Sequence, residues 1–153
     1  MKYWNSPETT SVNREPMLNI AHEDFVSLDG QWDFQLLRSP DDQPGRSWTT
    51  IPVPGLWTTQ EESHHFWDRP IYTNVQMPFD ELLPFVPTLN PTGIYERDFT
   101  VLDSWVGERI VLQIGGFESL AVLSINGVEV GMAKDSRLAA DFEITSYVNP
   151  GKN

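Results

Sequence analysis

The stretch Leu120-Ala121-Val122-Leu123-Ser124-Ile125-Asn126-Gly127-Val128-Glu129-Val130-Gly131 places an Asn-Gly pair between two apolar segments. A two-residue Asn-Gly connection favours a type I′ turn, because both central residues of that turn need positive φ angles. The stretch therefore predicts an antiparallel β-hairpin. It is the strongest short signal in the chain.

Further short strands are predicted on both sides of this hairpin. Residues 31–36 alternate in polarity, with Trp32, Phe34 and Leu36 on one face of a half-buried strand. Residues 109–114 alternate in the same way, with Ile110, Leu112 and Ile114 facing inwards. Other strands are predicted over 68–75, 94–101 and 142–144, and an edge strand is predicted within 48–56, which contains Pro52 and Pro54.

Short strands separated by Gly, Pro and Asn turns, with no convincing amphipathic helix, predict an all-β sandwich. Within that class we expect an antiparallel jelly-roll. Residues 1–23 are polar and broken by prolines, so they predict an extended N-terminal arm, and residues 24–153 form the jelly-roll domain. Asn149-Pro150-Gly151 predicts a turn with no strand after it, as if the chain were cut from a longer one.

The composition disfavours several classes of partner. The chain of 153 residues carries a net charge of -12, from 22 acidic and 10 basic side chains. Nucleic acid and anionic membrane surfaces are therefore unexpected partners, since both are bound by clustered Lys and Arg. Cysteine is absent, which removes disulfides and thiolate metal sites. With no apolar signal segment, the sequence indicates a cytoplasmic protein.

The segment Pro84-Phe85-Val86-Pro87-Thr88-Leu89-Asn90-Pro91-Thr92-Gly93 predicts a stiff loop that leads into a strand. Proline fixes its own φ angle and biases the preceding residue towards an extended conformation. Such a loop holds the Asn90 side chain in place, and its amide offers both a donor and an acceptor to neutral hydroxyl groups, as in sugars. The alternative is that Asn90 only closes an Asx turn.

A second candidate cluster is Gln60-Glu61-Glu62-Ser63-His64-His65, whose side chains suit metal binding or acid–base chemistry. In an extended chain the adjacent Glu61 and Glu62 point to opposite sides, and nothing in the sequence supplies a third ligand. We therefore interpret this segment as a solvated loop and predict no metal site in the chain.

Several motifs, taken in order, resemble the N-terminal sugar-binding domain of glycoside hydrolase family 2. They include Leu28-Asp29-Gly30-Gln31-Trp32-Asp33-Phe34, Pro52-Val53-Pro54 with Trp57, and Pro70-Ile71-Tyr72-Thr73-Asn74-Val75. The proline-rich loop with Tyr95 is similar to that of the large microbial β-galactosidases. Phe117-Glu118-Ser119, Ile125-Asn126-Gly127 and Asp135-Ser136-Arg137-Leu138 continue the resemblance, which covers residues 3 to 153.

The resemblance implies that the chain is a fragment of a retaining β-galactosidase, which hydrolyses terminal β-D-galactose residues of galactosides such as lactose. In such enzymes this jelly-roll leans over a catalytic (β/α)8 barrel, and the asparagine that corresponds to Asn90 contacts the galactosyl group. The two catalytic glutamates, the magnesium and the sodium belong to the rest of the parent enzyme, which is expected to be a homo-oligomer. The resemblance thus implies no catalytic residue in this chain, which alone should be inactive.

Two alternatives stay open at this point. A stand-alone carbohydrate-binding module would present exposed aromatic side chains as stacking platforms. A structural domain would instead use the N-terminal arm, from Trp4 to Met17, and the sandwich to hold an oligomer together.

Overall fold

In the computed structural model the chain is built from short antiparallel strands and single turns of 3-10 helix. Residues 2–16, 24–60, 68, 70–71, 74, 79–82 and 84–153 are described. The strands are β1 (Ser11–Val12), β2 (Gly30–Leu37), β3 (Thr49–Val53), β4 (Thr92–Glu96), β5 (Thr100–Val101), β6 (Val111–Ile114), β7 (Ala121–Ile125), β8 (Val128–Ala133), β9 (Ala140–Glu143) and β10 (Gly151–Lys152). The 3-10 turns span Tyr3–Asn5, Trp57–Thr59 and Asp103–Trp105.

The chain divides into two compact units, Val26–Arg97 and Met1–Phe25 together with Asp98–Asn153. The first unit is built on a three-stranded antiparallel sheet in the order β3-β2-β4. Phe34 of β2 and Ile51 of β3 are fully buried there. As predicted from Pro52, β3 pairs with β2 alone among the described residues and is an edge strand.

The predicted alternation along β2 holds as far as Phe34 and then changes. Leu36 is half-buried, whereas Leu37, on the polar face, is buried. The following loop explains this, because Gln35 accepts a hydrogen bond at its Oε1 from the Gly45 amide and donates from Nε2 to the Ser47 carbonyl. The loop therefore folds back onto the face on which Gln35 and Leu37 lie.

The second unit is a two-layered sandwich around one core. Strands β5 and β10 form a small sheet of their own, and of the two sheets around the core one has the order β1-β8-β7 and the other pairs β6 with β9. Both sheets contribute to the same buried cluster, which contains Ile125, Val130, Ala133, Ala140, Phe142 and Ile144. Ile110, Leu112 and Ile114 pack against this cluster, so the inward face predicted for residues 109–114 is confirmed.

The β7–β8 hairpin forms as predicted. Asn126 and Gly127 have φ angles of 50° and 76°, as the type I′ turn requires. The pairing shifts register between Leu123 and Ser124, because Leu123 pairs with Gly131 while Ser124 pairs with Glu129. This bulge leaves Val130 as the extra residue of β8.

Residues 2–16 are attached to the second unit by specific contacts. Strand β1 pairs with β8, and the Tyr3 hydroxyl donates to Glu129 at 2.6 Å. Arg14 pairs with Asp135 and donates to the Ala139 carbonyl at 2.7 Å. The described part of the N-terminal segment therefore binds its own sandwich.

Two sequence-based predictions need correction. The strand predicted over 94–101 is interrupted after Glu96, because β4 pairs with β2 whereas β5 pairs with β10. The predicted turn at 149–151 does lead into a strand, since Gly151–Lys152 forms β10. The Asn153 side chain closes that turn by accepting from the Asn149 amide at 2.7 Å and donating to the Asn149 carbonyl at 2.8 Å.

The predicted all-β, antiparallel sandwich is confirmed. Of the strand predicted over 68–75, residues 68, 70, 71 and 74 are described and belong to no strand, and the other half lies outside the described residues. The boundary placed between residues 23 and 24 stays a prediction. Within the described ranges, no helix is long and apolar enough to cross a membrane.

Candidate functional site

The backbone of Asn90 is fixed where the β2–β4 pairing ends. The last paired residues are Leu37 and Thr92. The Asn90 amide donates to the Arg38 carbonyl at 2.9 Å, so the hydrogen bonding continues beyond the strands. Asn90 is thus held by the sheet although it belongs to the loop.

The carbonyl group of Asn90 is also bound, because the Thr92 hydroxyl donates to it at 2.9 Å. An Asx turn would instead use the Asn90 side-chain oxygen. Among the described residues, the Asn90 side-chain amide makes no hydrogen bond. The backbone of Asn90 is therefore satisfied by the protein, while the donor and the acceptor of its half-buried side-chain amide have no hydrogen-bond partner among the described residues.

The segment before Asn90 is restrained by proline and by a local turn. Pro84 and Pro87 fix φ within it, and Pro91 does the same directly after Asn90. The Phe85 amide donates to the Leu82 carbonyl at 3.0 Å, which closes a turn. The backbone around Asn90 is thus restrained before any ligand is present.

An aromatic cluster lies beneath the strand that follows Asn90. Phe34 and Tyr95 are directly opposite each other in the β2–β4 pairing, and their rings meet edge-on with centroids 4.9 Å apart. The Trp57 ring stacks on Phe34 at 6.3 Å. A Cβ atom added at Gly93 would lie 2.9 Å from Phe34 and from Tyr95 and 3.0 Å from Trp57. Glycine at 93 therefore lets the strand approach all three rings.

Burial in this cluster raises the pKa of Tyr95 to about 12. The phenol therefore stays neutral at physiological pH and acts as part of the packing. Trp57 contributes to the same packing through its ring, which stacks on Phe34. Its buried Nε1 has no hydrogen-bond partner among the described residues.

The supporting role of Phe34, Trp57 and Tyr95 was not predicted from the sequence. One signal was present, since Gly93 and Tyr95 are two residues apart and so lie on the same face of a strand. Trp57 comes from a separate 3-10 turn, and no local pattern shows where that turn packs. The sequence thus identifies Asn90 but not its support.

The cluster of Glu61, Glu62, His64 and His65 lies outside the described residues. In the part of the chain that is described, no group of three or more His, Cys, Asp or Glu side chains is placed to hold a metal ion. The site that the structure describes is therefore a single carboxamide on a rigid support. It can bind a polar ligand, but it has no paired carboxylates for bond cleavage.

Comparison with known proteins agrees with this description. The family described as glycosyl hydrolases family 2, sugar binding domain, matches residues 25–153. A protein from Arthrobacter sp. (strain B7) named β-galactosidase is 39% identical over 152 residues, which cover 84% of this chain and 15% of that protein. A β-galactosidase from Kluyveromyces lactis is 38% identical over an alignment 161 residues long, which covers 97% of this chain and 15% of that protein.

The chain thus spans about 15% of the length of these relatives. A solved structure from an uncultured Clostridium sp., named β-glucuronidase, matches with a TM-score of 0.59 and 22% identity. The match covers 90% of this chain and 22% of that one. At this identity the structural likeness supports the fold alone.

Proposed function

Since the chain belongs to glycosyl hydrolase family 2 through its sugar-binding domain, we propose that it is the N-terminal domain of a β-galactosidase. The parent enzyme would hydrolyse terminal non-reducing β-D-galactose residues in β-galactosides such as lactose. The name β-galactosidase shared by relatives that match 84% to 97% of the chain supports this substrate class.

In this proposal Asn90 contacts the galactosyl group. The observation that carries it is the hydrogen bonding of Asn90. Its backbone groups are bound by Arg38 and Thr92, whereas its side-chain amide makes no hydrogen bond among the described residues. A carboxamide can donate to one sugar oxygen and accept from another hydroxyl. Because loop and sheet are ordered beforehand, binding needs little rearrangement at this position.

Bond cleavage is assigned to the rest of the parent enzyme. A retaining glycosidase uses two carboxyl groups about 5–5.5 Å apart, one as acid/base and one as nucleophile. We place these glutamates outside this chain, with the magnesium and sodium ions. The 153-residue chain alone would then be inactive.

The other partners we propose are a catalytic barrel of the same polypeptide and identical subunits of a homo-oligomer. The lack of cysteine suits the cytoplasmic location that we also propose.

The proposal is tested by assaying the complete gene product that carries this chain against a matched pair of chromogenic β-galactoside and β-glucuronide. We expect hydrolysis of the galactoside and little of the glucuronide. The chain of 153 residues should hydrolyse neither. Preference for the glucuronide, or hydrolysis by the chain alone, would contradict the proposal.

A stand-alone carbohydrate-binding module is the second candidate. The observation in its favour is Trp48, which is 36% exposed beside the edge strand β3. Calorimetric titration of the chain with galactose separates the two functions. A module would bind galactose measurably, whereas a single asparagine contact predicts no detectable binding.

A further inference from the structure

The turn of the β7–β8 hairpin combines the features that favour a spontaneous covalent change. The main-chain nitrogen of a residue can attack Cγ of a preceding asparagine, which closes a succinimide ring. The attack is least hindered when that residue is glycine, because glycine has no Cβ atom. Asn126 and Gly127 are both exposed, and a Cβ atom at Gly127 would meet nothing within 4 Å. The turn is therefore open to water and to this reaction.

The attacking nitrogen is also free of hydrogen bonds. The main-chain N–H of Gly127 donates to no acceptor among the described residues. Asn5 is another exposed asparagine, but the N–H of the following Ser6 donates to the Tyr3 carbonyl at 3.1 Å. The nitrogen that follows Asn126 is thus available, whereas the one that follows Asn5 is engaged.

The Asn126 side chain ties the hairpin turn to the segment of residues 147–153. Its Nδ2 donates to the Tyr147 carbonyl at 2.9 Å and to Oδ1 of Asn153 at 2.9 Å. The Phe99 amide donates to the Asn153 carbonyl at 3.1 Å, and the Asn153 amide donates to the Phe99 carbonyl at 2.8 Å. Asn126 therefore binds the residue that continues the β5–β10 pairing.

We propose that Asn126 is a site of deamidation in the folded protein, and that the product releases residues 147–153 from the hairpin turn. In the first step the Gly127 nitrogen bonds to Cγ of Asn126 and the Cγ–Nδ2 bond breaks. The NH2 group leaves as ammonia with the proton of the Gly127 amide. In the second step water opens the ring at either carbonyl. Its hydroxyl group adds to the carbonyl carbon and its other proton returns to the Gly127 nitrogen, which gives aspartate or isoaspartate.

Both products remove the donor on which the contact depends. A carboxylate at position 126 offers only acceptors, and the Tyr147 carbonyl and Oδ1 of Asn153 are acceptors too. Isoaspartate also adds a main-chain carbon to a two-residue turn, which no longer fits the type I′ geometry. The pairing between Phe99 and Asn153 should therefore open more often after deamidation.

The direct test is incubation of the complete gene product at mildly alkaline pH, followed by tryptic digestion and mass spectrometry. An unincubated sample is the reference for changes that occur during digestion. Trypsin releases residues 110–134 and 138–152 as peptides that contain one asparagine each, Asn126 and Asn149. Asn149 is the internal control, because the following Pro150 has no N–H group to lose.

We expect Asn126 to convert severalfold faster than Asn5 in the folded protein, while Asn149 stays unchanged. The rate should rise with pH, because the Gly127 nitrogen attacks after losing its proton. Isoaspartate should be among the products, since direct hydrolysis of the side chain gives aspartate alone. Conversion of Asn126 no faster than that of Asn5, or conversion only after unfolding in denaturant, overturns the proposed site.

The structural consequence is tested with Asn126→Asp, which carries the carboxylate of one product from the start. Hydrogen exchange, measured by mass spectrometry on peptides that contain Phe99 or Asn153, should be severalfold faster than in the unsubstituted protein. Asn5→Asp is the matched control, because it adds the same charge at an exposed asparagine in a different turn. Exchange that is unchanged in Asn126→Asp, or equally fast in both variants, overturns the proposed release.

Discussion

A Cβ atom added at Gly93 would lie 2.9 Å from Cε2 of Phe34, which is closer than real Cβ contacts come. Strand β4 can therefore pass over the fully buried Phe34 ring only with glycine at this position. This close approach brings the strand that follows Asn90 onto the rings of Phe34, Trp57 and Tyr95.

Gly93→Ala should lower the free energy of unfolding by about 1–3 kcal/mol, as overpacking of a filled core does. The matched control is Gly115→Ala, because a Cβ atom at Gly115 meets nothing within 4 Å. Denaturant unfolding of both variants measures the difference. Equal stability of the two variants would show that the aromatic cluster yields to the added methyl group.

Asp135→Ala should destabilise the chain by about 1–3 kcal/mol, because it leaves a charged group without its partner. The Arg14 side chain that pairs with Asp135 is only 9% exposed. The control is Asp98→Ala, which breaks the pair with Lys152, where both side chains are 72% exposed. Exposed pairs contribute about 0–1 kcal/mol, so the control should stay close to the original stability. Similar losses in both variants would contradict the special role of Arg14.

The stability of the chain should fall between pH 10 and about pH 12, in part through Tyr95. Burial raises the pKa of Tyr95 from 10.0 to about 12, so the folded state holds this proton more tightly than the unfolded state does. The resulting stabilisation is fully present below the unfolded pKa and is lost as the pH rises through the folded pKa. Tyr95→Phe should reduce the loss of stability between pH 10 and about pH 12. An identical pH dependence in both proteins would rule out a buried phenol at this position.

Local features of the sequence predict much of the fold. Asn126-Gly127 predicts the hairpin because positive φ angles are a property of two adjacent residues, and Pro52 predicts an edge because it lacks an N–H group. The break after Glu96 was missed because it depends on which strands lie beside β4 and β5. The burial of Leu37 was missed because the alternation of β2 does not show that the loop after this strand folds back onto the face of Gln35 and Leu37, where Gln35 bonds to Gly45 and Ser47.

The candidate site was predictable to a similar degree. Pro87, Asn90 and Pro91 indicate from the sequence a stiff loop that presents an amide. The contacts that hold this loop in place are the hydrogen bond from the Asn90 backbone N–H to the Arg38 carbonyl and the close approach of the Trp57 ring to Gly93, and both partners are distant in sequence. Only the folded chain shows that the Asn90 backbone is bound while its side chain makes no hydrogen bond among the described residues.

The most direct test of the account is the value of kcat/KM for a β-galactoside in the complete gene product with Asn90→Ala. Loss of a hydrogen bond to the galactosyl group should raise the barrier by about 1–3 kcal/mol, which lowers kcat/KM roughly fivefold to 150-fold. Asn5→Ala, at an exposed asparagine in the first 3-10 turn, should leave kcat/KM unchanged. If Asn90→Ala also leaves kcat/KM unchanged in a stably folded enzyme, Asn90 does not contact the substrate and the central claim is wrong.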